Sequence, residues 1–159
     1  MGSVVTPCMQ SAGALGSVAA RRRTLRDLTE LVAIARAAGA RVLIVDPPPV
    51  GGLSVAGDSW LDALTVELHR ALRSHRGVAF TDEPRRSLAP DGRFVTTVAC
   101  GSASDPGCVD GKVTIRDPYF GVHLCPRPYA DAAAILRGCP VVSPGATRFG
   151  RAIAAAAAR

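Results

Sequence analysis

Three histidines and five cysteines carry much of the chemistry this chain has to offer. His123 stands apart from the other two histidines: it follows Gly121-Val122 in a loop, with Arg116 and Asp117 a few residues upstream. A carboxylate beside a loop imidazole is how a general base is held and polarised, and loops are where such groups reach a substrate. The plain alternative is a structural loop histidine, since unperturbed histidines are common on surfaces. His69 falls on a predicted helix, off its leucine stripe, and His75 in the arginine-rich turn that ends it. Both are expected to face solvent.

The cysteines fall into one single residue and two brackets. Cys8 stands alone, Cys100 and Cys108 flank a loop rich in Gly, Ser, Asp and Pro, and Cys125 and Cys139 enclose another irregular stretch. No spacing is the C-x-x-C of a zinc ribbon or redox motif. A metal centre built from Cys100, Cys108, His123 and Cys125 is conceivable but matches no standard ligand pattern. Two loop-closing disulfides, Cys100–Cys108 and Cys125–Cys139, fit better, each worth ~2–3 kcal/mol by chain entropy. Such bonds imply an oxidising, extracytoplasmic compartment, with Cys8 left as the one free thiol.

These residues must be positioned by elements that can be read from caps and periodicity. Residues 1–22 are weakly patterned and Gly/Ala/Ser-rich. Thr24, with Asp27 three residues on, reads as a capping box opening a helix. Leu25, Leu28, Leu31, Val32 and Ala35 form its apolar stripe, and Gly39 its stop. Val42-Leu43-Ile44-Val45 is an unbroken apolar run of the kind buried on both faces of a parallel sheet, and Asp46-Pro47-Pro48-Pro49 ends it. A second helix is predicted from about Trp60 to Leu72, with Leu61, Leu64, Leu68 and Leu72 on one face, then a short strand at Val78-Ala79-Phe80. Phe94–Ala99 and Lys112–Ile115 read as extended, with an Asp110-Gly111 turn before the second. A last helix starts at Ser143-Pro144, with Phe149, Ile153 and Ala157 along one side.

The helix–strand rhythm is that of an α/β domain with a mostly parallel sheet. Only two strands are strong, so either the N-terminal region holds another or the sheet is incomplete. At 159 residues, 48% apolar and 20% charged, the chain has the size and composition of one globular domain. With 4% aromatics, Ala, Val and Leu must fill the core. The formal charge of +6 comes from 19 basic residues, of which Lys112 is the one lysine. The arginines are scattered, and the one cluster, Arg21-Arg22-Arg23, lacks interleaved aromatics for base stacking, which argues against a nucleic-acid partner. No apolar run reaches the roughly 18 residues of a membrane span, and the first twenty residues do not have the order of a signal peptide.

The stretch Gly121-Val122-His123-Leu124-Cys125-Pro126, followed by Cys139-Pro140 and Gly145-Ala146-Thr147-Arg148-Phe149-Gly150-Arg151-Ala152-Ile153, resembles the C-terminal end of the SGNH (GDSL-type) hydrolase superfamily. The likeness is to exported or membrane-tethered actinobacterial forms, including domains fused to membrane acyltransferases. It covers roughly residues 23–157, and 23–159 would then be the C-terminal part of such a domain. The resemblance implies a three-layer α/β/α fold of SGNH or flavodoxin type and a Ser-His-Asp site, without cofactor or metal. Its substrate would be an O-acyl ester of a small molecule or glycan, with His123 deprotonating a serine and backbone N–H groups holding the oxyanion.

The chain departs from that pattern at three places. Three residues before His123, where the family has its Asp, stands Phe120, so the acid on offer is Asp117, which reaches the imidazole only if the Asp117–Phe120 loop folds back. The chain has no asparagine for an oxyanion hole. Gly57-Asp58-Ser59 has the letters of the family's nucleophile motif but follows the Val42–Val45 strand. Ser59 is either that nucleophile or the cap of the second helix, with Asp62 completing a capping box. Two functions therefore stand side by side: an ester hydrolase or acyl-transfer domain, and a non-catalytic α/β interaction module or fragment of a larger exported hydrolase.

Overall fold

A computed structural model describes residues 17–49, 55–101, 107–116, 124–127 and 138–159, with backbone alone at 55–60. The chain is mixed α/β, with four helices and two small sheets among the described residues. It divides into two compact units, residues 1–44 with 55–81, and residues 45–54 with 82–159.

The first unit holds α1 (Val18–Ala37), β1 (Val42–Val45, its last residue assigned to the other unit), α2 (Val55–Leu72) and β2 (Val78–Thr81). Helix α1 starts seven residues before the capping box expected at Thr24. Ser17 is the cap, accepting the Ala20 N–H at 3.1 Å, and Val18-Ala19-Ala20 carry the helix into the arginine run. Thr24 instead donates to the Ala20 carbonyl, and Asp27 pairs with Arg23 at 3.1 Å one turn earlier. On α2, Leu64, Leu68 and Leu72 are buried as their spacing predicts, and Leu68 and Leu72 meet Val32 of α1. Leu25, Leu28, Val42, Ile44, Val78 and Phe80 pack around this core. Leu31, expected in the stripe, is 60% exposed.

Strands β1 and β2 pair in parallel, and the Val42 N–H reaches the Gly77 carbonyl at 3.0 Å just before them. β1 is half-buried along its whole length rather than covered on both faces, because the described sheet has two strands. His69 also differs from expectation: its ring lies 4.1 Å from that of Phe80 and is half-buried, while His75 is exposed.

The second unit holds α3 (Glu83–Leu88), β3 (Thr97–Ala99), β4 (Cys108–Val109), β5 (Lys112–Thr114) and α4 (Pro144–Ala157). The short α3 was not apparent in the sequence; a proline in its first turn sets the helical φ there. β5 is central and antiparallel to both neighbours, with Val98 opposite Val113 and Cys108 opposite Val113 on the other side. Asp110 and Gly111, with φ of 49° and 74°, make the two-residue turn between β4 and β5. Leu88, Val98, Val113 and Ile115 form the core, flanked by Val95, Cys100, Leu124 and Phe149. Helix α4 begins as predicted: Ser143 accepts the Ala146 N–H at 3.0 Å and Pro144 follows. Gly145 is buried with its Cα against the Ile115 carbonyl; a Cβ there would lie 2.3 Å from that oxygen. Both expected disulfides are present, Cys100–Cys108 and Cys125–Cys139.

Candidate functional site

Asp117 and His123 lie outside the described residues, in segment 117–123. The residues on either side of that segment are described: the incoming side is buried, and the outgoing side passes from half-buried Leu124 to buried Cys125. On the incoming side, Ile115 and Arg116 have no solvent exposure. The Arg116 guanidinium sits 5.1 Å from the centre of the Phe94 ring and donates to the Pro49 carbonyl. A long side chain wedged over an aromatic face is favoured for Arg because its planar cation is weakly hydrated.

On the outgoing side, Leu124 packs against the Leu88–Ile115 core, and Cys125 is 1% exposed and bonded to Cys139. Ser143 performs two tasks here. Its hydroxyl accepts the Ala146 N–H as the cap of α4 and donates to the Leu124 carbonyl, the residue directly after His123. Sequence reading found Ser143 as a cap but not as a tie to Leu124, because the partner is 19 residues away. Arg116 was noted only as a neighbour of Asp117; nothing local marks it as buried.

Ser59 belongs to the first unit and is the fifth residue of α2, which begins at Val55. It is therefore not the cap of that helix, and the local capping-box reading is corrected: the helical backbone already runs through Gly57-Asp58. Its side chain is not among those described.

The conceivable metal centre is also corrected. Cys100, Cys108 and Cys125 are all in disulfides, so none offers the thiolate a metal requires. No other cluster of three His, Cys, Asp or Glu suited to a metal occurs among the described residues. In the first unit, α1 and α2 border an open groove that combines Leu25, Ala33 and Ala71 with the charged Arg22, Arg26 and Glu30.

Among the described residues, titration is perturbed at one surface pair, in the second unit. The Arg159 guanidinium, 2.5 Å from the Glu83 carboxylate, holds the Glu83 carboxyl below its ordinary value, mainly by hydrogen bonding, and Arg159 is raised in return. Such a shift belongs to an exposed ion pair rather than to a catalytic acid. Comparison of the chain with known protein families, curated proteins and solved structures gave no match.

Proposed function

We propose that this chain is an SGNH-type ester hydrolase or acyl-transfer domain, of three-layer α/β/α design, acting on an O-acyl ester of a small molecule or glycan outside the cytoplasm. His123 is the general base, Asp117 the carboxylate that orients it, and Ser59 the nucleophile. The observation that supports the reading is the packing, in the second unit, of the residues on either side of positions 117–123. Buried Ile115 and Arg116 precede them, and Leu124 and disulfide-bonded Cys125 follow them. A base must be held to within fractions of an ångström to keep its hydrogen bond to a hydroxyl, and rigid flanks serve that need. The two disulfides are compatible with an extracytoplasmic location.

In the proposed reaction His123 takes the Ser59 proton as the serine attacks the acyl carbon. The imidazolium then protonates the leaving alcohol, and water or a second alcohol resolves the acyl-enzyme. Without an asparagine in the chain, backbone N–H groups must hold the oxyanion. A second reading, a non-catalytic α/β interaction module or fragment of a larger exported hydrolase, is favoured by the place of Ser59 inside a helix rather than on a strand-to-helix turn. The test is hydrolysis of a short p-nitrophenyl ester by the chain and its Ser59→Ala, His123→Ala and Asp117→Asn variants, with fluorophosphonate labelling read by mass spectrometry. Turnover lost in the first two variants, together with a label on Ser59, supports the hydrolase. No turnover and no labelled serine leaves the non-catalytic reading.

A further inference from the structure

The first unit carries its charges unevenly. All its carboxylates within residues 17–44 and 55–81, namely Asp27, Glu30, Asp58, Asp62 and Glu67, come before the last turns of α1 and α2. From Leu31 to Ile44 and from Leu68 to Thr81 there is no acid, but there are Arg36, Arg41, Arg70, Arg73 and Arg76. The fold brings these two stretches together. The Val42 N–H bonds to the Gly77 carbonyl, and the Arg36 guanidinium lies beside Gly77, where a Cβ would come within 2.4 Å of it.

Of the four arginines nearer the start of α1, three have carboxylate neighbours and Arg22 has none among the described residues. Arg21 pairs with Glu67, and Arg23 and Arg26 approach Asp27. Arg41, Arg70, Arg73 and Arg76 are exposed, and none has an ion-pair partner among the described residues. Arg36 and Arg70, in the last turns of α1 and α2, also offset the helix dipoles. Arg41, Arg73 and Arg76 lie beyond the helices, so that explanation does not reach them.

Apolar side chains also stand exposed on the two helices that lead into these cations. Leu31 and Ile34 are 60% and 61% exposed on α1, and Val66 is 56% exposed on α2. Asp62, Val66, Arg70 and Arg73 follow one another at four-, four- and three-residue steps on one face of α2 and its continuation, so that Val66 sits where this face turns from acidic to basic. Guanidinium groups suit phosphate oxygens because their donor fork matches them. A soluble polyanion would satisfy the arginines and offer nothing to Leu31, Ile34 and Val66. Nucleic-acid bases would find His75 as the one exposed aromatic ring among the described side chains of this end, since Phe80 is half-buried against His69.

We propose that this basic end of the first unit docks on an anionic phospholipid surface, with the arginines on headgroup phosphates and the exposed aliphatic side chains at the headgroup boundary. The docking goes beyond the esterase reading and does not depend on it. The experiment is co-sedimentation of the oxidised full chain with phosphatidylcholine vesicles, with and without phosphatidylglycerol. Binding is expected to the anionic vesicles alone and to weaken as salt is raised. Each of Arg70→Gln, Arg73→Gln and Arg76→Gln should weaken it about fivefold. A Leu31→Ser/Ile34→Ser double variant should also weaken it, while Arg23→Gln, which removes a paired arginine, should have little effect. Thermal melts establish that each variant is folded. Failure to bind anionic vesicles, equal binding to pure phosphatidylcholine, or arginine variants that bind as well as Arg23→Gln would each overturn the proposal. So would unchanged binding of the aliphatic double variant combined with full competition by polyphosphate or single-stranded DNA, which would assign a soluble polyanion instead.

Discussion

Gly145 is the position where a single methyl group should do the most harm. In an exposed helix, Gly→Ala raises stability by up to about 1 kcal/mol, because Ala loses less backbone entropy. At Gly145 the added Cβ would lie 2.3 Å from the Ile115 carbonyl oxygen, 3.1 Å from its carbon and 3.2 Å from Ile115 Cβ, where an ordinary contact begins near 3.4 Å. The obstruction is backbone on both sides, so the start of α4 must retreat by about 1 Å. The Ser143 hydroxyl ties the same turn to the Leu124 carbonyl, and a retreat stretches that tie as well. Overpacking of this kind costs ~1–3 kcal/mol, and a disturbed cap adds ~1 kcal/mol. After the propensity gain, a net loss of about 1–3 kcal/mol remains, equivalent to a fall in Tm of roughly 3–10 °C. Gly150 supplies the control, since it lies in the same helix with nothing within 4 Å of a built Cβ. Gly150→Ala should raise Tm by about 2–4 °C. Calorimetric melts under non-reducing conditions measure both. A Gly145→Ala protein as stable as the wild type, or two variants shifted in the same direction, would refute the close-packing argument.

Four further outcomes are expected. Replacing Cys125 and Cys139 together by Ala opens a loop of 14-residue separation and should cost about 3 kcal/mol, read by urea denaturation. In the same vein, thiol titration of the denatured, unreduced protein should find one free thiol, Cys8, against five after reduction. Truncating Leu72, which has no solvent exposure in the first unit, should cost ~2–5 kcal/mol as Leu72→Ala, read by the same denaturation. Finally, the Glu83–Arg159 pair should stabilise at neutral pH and stop doing so in acid. The folded-state pKa of Glu83 is depressed, so its contribution is complete above the unfolded value near 4.5 and fades as pH falls through the lower folded value. The Tm gap between the wild type and Glu83→Gln should therefore close on acidification; a gap that persists or widens would contradict the pairing.

What the sequence made legible was local. Ser143-Pro144, Asp110-Gly111 and the leucine spacing of α2 are each settled by neighbours a few residues away, and each appears as read. The two cysteine brackets were legible for the same reason, since each closes a short loop. The start of α1 was misjudged because two adequate caps, Ser17 and Thr24, compete, and favourable residues between them let the earlier one win. Helix α3 is only six residues long, below what periodicity can detect. The antiparallel setting of β3 beside β5 was beyond local reading, because Val98 and Val113 are joined by pairing, not by proximity in the chain. Around the candidate site the buried state of Arg116 was the least legible feature. An arginine reads as surface by default, and its partners Phe94 and Pro49 are far away in sequence.

The triproline segment Pro47–Pro49 carries a consequence of its own. Proline has no amide hydrogen, so these residues can only accept hydrogen bonds, and two of their carbonyls receive guanidinium donors, Pro47 from Arg85 at 3.3 Å and Pro49 from Arg116. A backbone with nothing to donate and two of its three acceptors already occupied is a poor template for an incoming chain. Beyond Val45, then, the molecule presents a natural gatekeeper against fibril growth, one that a Pro→Ala exchange would remove.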